Sequence, residues 1–130
     1  MKQFCYLLAI LLSLSVVSFA EAEAEAEVEP AAEKAMLTQL MQALSQDNYE
    51  DFISNGTEQF KNGITKSAFD SVVKQLESHI HGGYKAEYLS QLTQQGYKMY
   101  LWKISYETNE ENTLAKLVVS DQKVAGFWLQ

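Results

Sequence analysis

The sequence predicts an α+β domain in which helices come first and pack on one face of a four-stranded antiparallel sheet. Three observations predict it. Apolar residues recur with a helical period from Leu37 to Ile80, Gly82-Gly83 interrupts that period, and from Tyr84 onward the spacing falls to two. Helices followed by strands in this way form a sheet with the helices segregated to one face.

The chain opens on a leader. Lys2 supplies a short positive start, residues 4–17 are apolar except for Ser13 and Ser15, and Ser18-Phe19-Ala20 puts small residues where signal peptidase reads them. Residues 1–20 therefore read as a cleavable signal peptide, cut between Ala20 and Glu21, which makes the protein exported, periplasmic or extracellular. A membrane anchor is the competing reading. The uncharged run over 3–20 is only 18 residues long, at the lower limit for a bilayer span, so no stable membrane insertion is expected after cleavage. Cleavage also removes Cys5, the single cysteine, and with it disulfides and cysteine-ligated zinc. The 110 residues that follow Ala20 suffice for one domain burying roughly two-thirds of its unfolded surface.

Residues 21–30 read EAEAEAEVEP. Five glutamates in this short run repel one another and only Val28 has much to bury, which predicts a solvated acidic spacer ahead of a single domain at 31–130. Past the leader, nine lysines stand against seventeen acids, a net charge of -8, and arginine is absent throughout. Nucleic acid is a poor partner for such a chain, because phosphate binding needs clustered Lys and Arg.

After Pro30, the stripe Leu37, Leu40, Met41 and Leu44 predicts a first helix ending near Gln46. Asp47 is placed to cap a second short helix through Ser54, with Glu50 completing a capping box and Tyr49, Phe52 and Ile53 facing inward. Asn55-Gly56 ends it, and a turn of helix over 58–61 brings Phe60 to the core. Thr65 is the best-marked helix start: Ile64 before it and Phe69 after it form a hydrophobic staple. Phe69, Val72, Val73, Leu76 and Ile80 continue that stripe to Gly82-Gly83.

The strands are expected as a meander. The first covers 84–92, Gln95-Gly96 turns the chain, and the second covers 97–107 with Tyr100, Trp102, Ile104 and Tyr106 on one apolar face. Residues 109–112 read as a polar loop, 114–120 as a third strand, Asp121-Gln122 as a tight turn and 123–129 as the last strand, closed by Val124, Phe127 and Trp128.

Asp47-Asn48-Tyr49 between two helices, a third helix entered at Ile64-Thr65, the Gly82-Gly83-Tyr84 opening of the sheet and a closing Lys123-Val124-Ala125-Gly126-Phe127 together resemble a known group. It comprises small secreted domains of unknown function in the nuclear transport factor 2 and ketosteroid isomerase superfamily. The resemblance spans nearly all of 31–130 and implies a strongly curved sheet that wraps the long helix as a cone with an apolar pocket. Members isomerise, dehydrate, bind small molecules or dimerise through the sheet, and fold alone does not choose among these.

An isomerase-like site needs a carboxylate base beside hydrogen-bond donors. Tyr88, Tyr100 and Tyr106 are candidate donors. The apolar face of the second strand carries no acid, Glu87 and Glu107 fall on the faces opposite their tyrosine neighbours, and Asp70 is placed to stabilise a first helical turn. His79 and His81 lie two apart, on opposite sides of a helix, so they suit its C-terminal dipole better than one metal ion. Gln122, Val124 and Gly126 match the Gln-x-Val-x-Gly loop of cystatins, though at the C-terminus and without a following tryptophan hairpin. No cofactor is expected.

These readings converge on a non-enzymatic exported domain that binds a small apolar ligand or a protein partner. Phe69, Tyr88, Tyr100, Trp102 and Tyr106 are the candidate pocket residues. A homodimer through the sheet, an isomerase or dehydratase, and a cystatin-like inhibitor are the alternatives.

Overall fold

A computed structural model describes residues 28–130, so the leader, the cleavage position between Ala20 and Glu21 and most of the acidic spacer lie outside the described residues. Helix α1 (Ala31–Ser45) starts behind Pro30, whose fixed φ of −74° suits a helix entrance, and Glu33 sits in its first turn, where the dipole favours an acid. Its buried face is Leu37, Leu40, Met41, Ala43 and Leu44. The exit corrects one expectation. Asp47 does not cap the next helix but adopts φ 52°, with its N–H on Leu44 O (3.3 Å) and the Asn48 N–H on Ala43 O (2.9 Å). That is a Schellman ending, which consumes Asp47 as the left-handed residue. The cap passes to Asn48, whose side chain accepts from Asp51 N–H at 3.1 Å.

Helix α2 (Tyr49–Ile53) contributes Phe52 and helix α3 (Glu58–Gly63), capped by Thr57, contributes Phe60. Helix α4 (Lys66–Ile80) begins as the sequence predicts, with the Thr65 side chain accepting from Ala68 N–H. The Tyr49 hydroxyl donates to Ile64 O at 2.6 Å and so pins the residue ahead of that cap. Asp70 serves differently from the expectation, pairing with Lys66 one turn earlier at 3.0 Å on an exposed surface.

The sheet is an open, curved meander of β1 (Tyr84–Gln94), β2 (Tyr97–Tyr106), β3 (Asn109–Ser120) and β4 (Lys123–Leu129). Two hairpins close with both central residues at positive φ: Gln95 (53°) with Gly96 (83°), and Asp121 (50°) with Gln122 (63°). Such turns match the right-handed strand twist. The expected polar loop at 109–112 is instead strand. Tyr106 pairs with Asn109 and Ser105 with Asn112, the extra residues forming a bulge, so β2 and β3 join through Glu107-Thr108. Polarity misled because this end of β3 is largely exposed and needs no apolar alternation to pair. β1 likewise runs two residues past Leu92.

Register sorts the faces. Tyr84, Ala86, Tyr88, Tyr100, Trp102, Ile104, Tyr106, Ala115, Leu117, Val124 and Phe127 look toward the helices and form one core with α1, α2, α3 and α4. Lys85, Glu87, Met99, Leu101, Lys103, Lys116 and Trp128 look outward, and Glu87 pairs with Lys103 at 3.0 Å across β1 and β2. The edge of β4 is tied at one point. Val124 N–H donates to Asn55 O and Thr57 N–H to Val124 O, both at 2.9 Å, which clamps the α2–α3 connection onto the sheet.

Candidate functional site

The inner face of the sheet is covered in two unequal halves. Over β1 and β2 it is sealed by α1 and the residues ahead of it: the Trp102 indole N–H donates to Glu29 Oε1 at 2.9 Å, Lys34 Nζ pairs with the same oxygen at 2.9 Å, and Lys34 also donates to Ala86 O at 3.4 Å. Trp102 is wholly buried, with Tyr88 and Tyr100 rings 5.6 and 6.3 Å away. Burial pushes the Tyr100 phenol up, and the Glu33 carboxylate beside it pushes the same way. Of the pocket candidates, Tyr88, Tyr100 and Trp102 thus belong to this sealed half, because α1 and the residues ahead of it cover that part of the face.

Glu29 is the surprise of that half, since the spacer was expected to be solvated throughout. Its pKa is lowered first by the Lys34 hydrogen bond and then by the Trp102 indole. A carboxyl depressed in the folded state contributes stability above its unfolded pKa and loses it as pH falls through the folded one. Glu29→Gln is therefore expected to destabilise at pH 7 and to match the parent near pH 2. The difference at pH 7 should stay under about 1 kcal/mol, discounted because this side chain is 40% exposed and solvent-screened. Urea midpoints at the two pH values check it.

The other half of the face is open. A cavity of about 440 Å³ lies between α4 and the β2–β4 end of the sheet. Phe69, Val72 and Leu76 form its helix wall, Phe127 and Leu129 its sheet wall, and Leu44 and Phe52 its floor. His79, Gln75, Glu111, Asn112 and Gln130 make a polar rim. Helix α4 leaves this space because its stripe is only partly used: Phe69 and Ile80 are buried, whereas Val72 is 37% exposed.

Tyr106 lines the cavity from β2. Its ring is buried at the wall beside His79, with ring centroids 5.7 Å apart, and it stands opposite Tyr84 in the register. Its hydroxyl is buried, and among the described residues no hydrogen-bond partner reaches it. Burial, followed by Tyr106, pushes the Tyr84 phenol up. A buried hydroxyl without a partner costs roughly 1–3 kcal/mol, and because no solvent reaches this one it adds nothing polar to the cavity.

Phe69 and Tyr106 thus reach the cavity, and the sequence did not single out Leu129, His79 or Gln130 for it. The missed signal is the row Ala68, Gln75 and His79 on α4, which flanks Val72 and Leu76 of the predicted stripe. Phe127 and Leu129 share the inner face with Val124 only because a bulge at Ala125 shifts the alternation. Among the described residues no group of His, Cys, Asp and Glu is arranged to hold a metal, and no helix is long and apolar enough to cross a membrane. The Gln122–Gly126 segment lies in the last turn and strand, with Val124 buried rather than projecting. Comparison with family models, curated proteins and solved structures returned no match for this chain.

Proposed function

We propose that the protein is a non-enzymatic, exported binding domain with the architecture of the nuclear transport factor 2 and ketosteroid isomerase superfamily. Signal cleavage after Ala20 delivers it outside the cytoplasm, and its ligand is a small, largely apolar molecule carrying one neutral polar group. The apolar body occupies the cavity between α4 and β2–β4, and the polar group meets the rim amides of Gln75 and Gln130. The open apolar cavity with its polar rim is the observation that carries this reading.

Cavity size and lining support it, since small-molecule sites are mostly apolar, hold roughly 300–1,000 Å³ and orient their ligands with few polar groups. A binding role is favoured over isomerisation because no charged side chain is buried among the described residues, and a general base near neutral pH is ordinarily tuned by burial. Nucleic acid is an unsuitable ligand, since the rim carries a carboxylate and no lysine.

Native mass spectrometry of the protein purified from its own envelope is expected to show a retained small molecule. The sharper test is Val72→Trp, which fills the cavity from its partly exposed helix wall. Stability should change by less than about 1 kcal/mol at this position, while affinity for the neutral apolar probe N-phenyl-1-naphthylamine falls about tenfold or more. Equal probe affinity in the two proteins overturns the reading.

A further inference from the structure

The outer face of the sheet holds a second concavity that the apolar cavity does not explain. It measures about 390 Å³ and is lined by Gln59, Gln94, Gln95, Tyr97, Met99, Val118, Ala125 and Trp128. Two of these are exposed aromatics on one side of the sheet: Tyr97 is 44% and Trp128 49% accessible. Met99 and Val118 are paired neighbours on β2 and β3 and form the floor between them. Three primary amides border the groove, from α3 (Gln59), the end of β1 (Gln94) and its turn (Gln95).

Trp128 is held in place rather than merely exposed. It lies across Gly126, where any Cβ would run into the indole, so the absent side chain gives the ring its seat. Lys116, its partner across β3, puts its ammonium 5.3 Å from the ring centroid. That favourable contact further restricts the ring. Gln95 is fixed in the left-handed region at φ 53°, which sets the direction in which the turn presents its amide.

We propose that this groove binds a neutral saccharide. Sugar rings are amphipathic: their C–H faces stack on aromatic rings, while their hydroxyls need donors and acceptors in the ring plane. An amide side chain supplies both from one group. Tyr97 and Trp128 provide the stacking surfaces, and Gln59, Gln94 and Gln95 the polar border. A charged polymer has no ionised counterpart among the lining residues. A purely apolar partner would desolvate three amides without satisfying them. This site stands on the opposite face from Tyr106 and does not depend on the apolar cavity.

Only two tryptophans are present, and Trp102 is inaccessible, so quenching by acrylamide reports Trp128 alone. The exported protein is titrated with diacetylchitobiose, maltotriose, cellotriose and a charged hyaluronan tetrasaccharide. At least one neutral sugar is expected to protect Trp128, and its affinity measured by titration calorimetry should fall about tenfold or more in Trp128→Ala, which lacks the fluorescent reporter. In Gln94→Ala the fall should be about fivefold, the scale of one hydrogen bond. Both variants are checked for an unchanged circular dichroism spectrum. The proposal is overturned if no neutral sugar protects Trp128, if the charged sugar alone does, or if Gln94→Ala binds like the parent. It also falls if Trp128 is already shielded in the free protein and becomes accessible on dilution, which would make the groove a contact between two copies of the chain.

Discussion

Trp102→Ala is expected to remove about 3–5 kcal/mol of stability, the usual cost of deleting a fully buried large aromatic. Trp102 has no accessible surface, packs at a tilt against Tyr88 and Tyr100, stands opposite Ala115 of β3 and donates to Glu29. The small Ala115 beside it offers little to collapse into the void. Domains of this size are stable by about 5–15 kcal/mol, so the variant should be partly unfolded at 37 °C. A urea midpoint lowered at unchanged slope is the expected reading. Trp102→Phe separates volume from polarity: it keeps most of the packing, loses the indole donor and should cost about 1–2 kcal/mol. Trp128→Ala is the control on the opposite face. Since that ring is half exposed, its loss should be well below that of Trp102. Comparable losses at the two sites would contradict the assignment of faces.

Phe69→Ala should be nearly as costly, again about 3–5 kcal/mol, with a functional signature added. Phe69 is buried between Tyr49 (5.6 Å between ring centroids) and Phe52 (5.1 Å), and it follows the Thr65 cap at the staple position. Because it also walls the cavity, its removal enlarges the binding space. Dry apolar cavities bind benzene. Benzene should therefore raise the melting temperature of Phe69→Ala more than that of the parent. Val72→Ala, on the same wall but partly exposed, should cost under about 1 kcal/mol and show no such rescue. If Phe69→Ala lost less than about 1 kcal/mol, α4 could not be packed as described.

Element type was legible because each element obeys its own local rule. The α4 start was readable at Thr65 because a cap and its staple lie within a few residues of one another. The Gln95-Gly96 and Asp121-Gln122 turns were readable from Gly96 and Asp121, since left-handed backbone favours Gly, Asn and Asp, whereas Gln95 and Gln122 adopt it without that preference. The errors fall where two local rules compete. Asp47 is a good cap and also a tolerable left-handed residue, and the α1 ending claimed it for the second role. At 109–112 polar composition suggested a loop, but pairing to Ser105 and Tyr106 requires only backbone groups.

The candidate site was half legible for a similar reason. Phe69 and Tyr106 could be placed on inward faces by counting, as could Tyr88, Tyr100 and Trp102, since period alone fixes which side of a strand or helix a residue occupies. Period cannot say which inward residues will be covered. That depends on α1 crossing one half of the face, on Glu29 and Lys34 closing over Trp102, and on α4 standing off from β3 and β4.

By itself, the sequence determined the absence of arginine and the acidic run before Pro30 as composition, and the order and kind of the elements and the two-sided patterning of the strands through interactions within a few residues. Only the tertiary structure decided that Tyr106 keeps a buried hydroxyl unpartnered, that Trp128 rests on Gly126, and that Glu29 folds back to accept from Trp102. Each of those pairings joins residues by packing geometry rather than by spacing alone, and a cavity is the space that such geometry leaves unfilled.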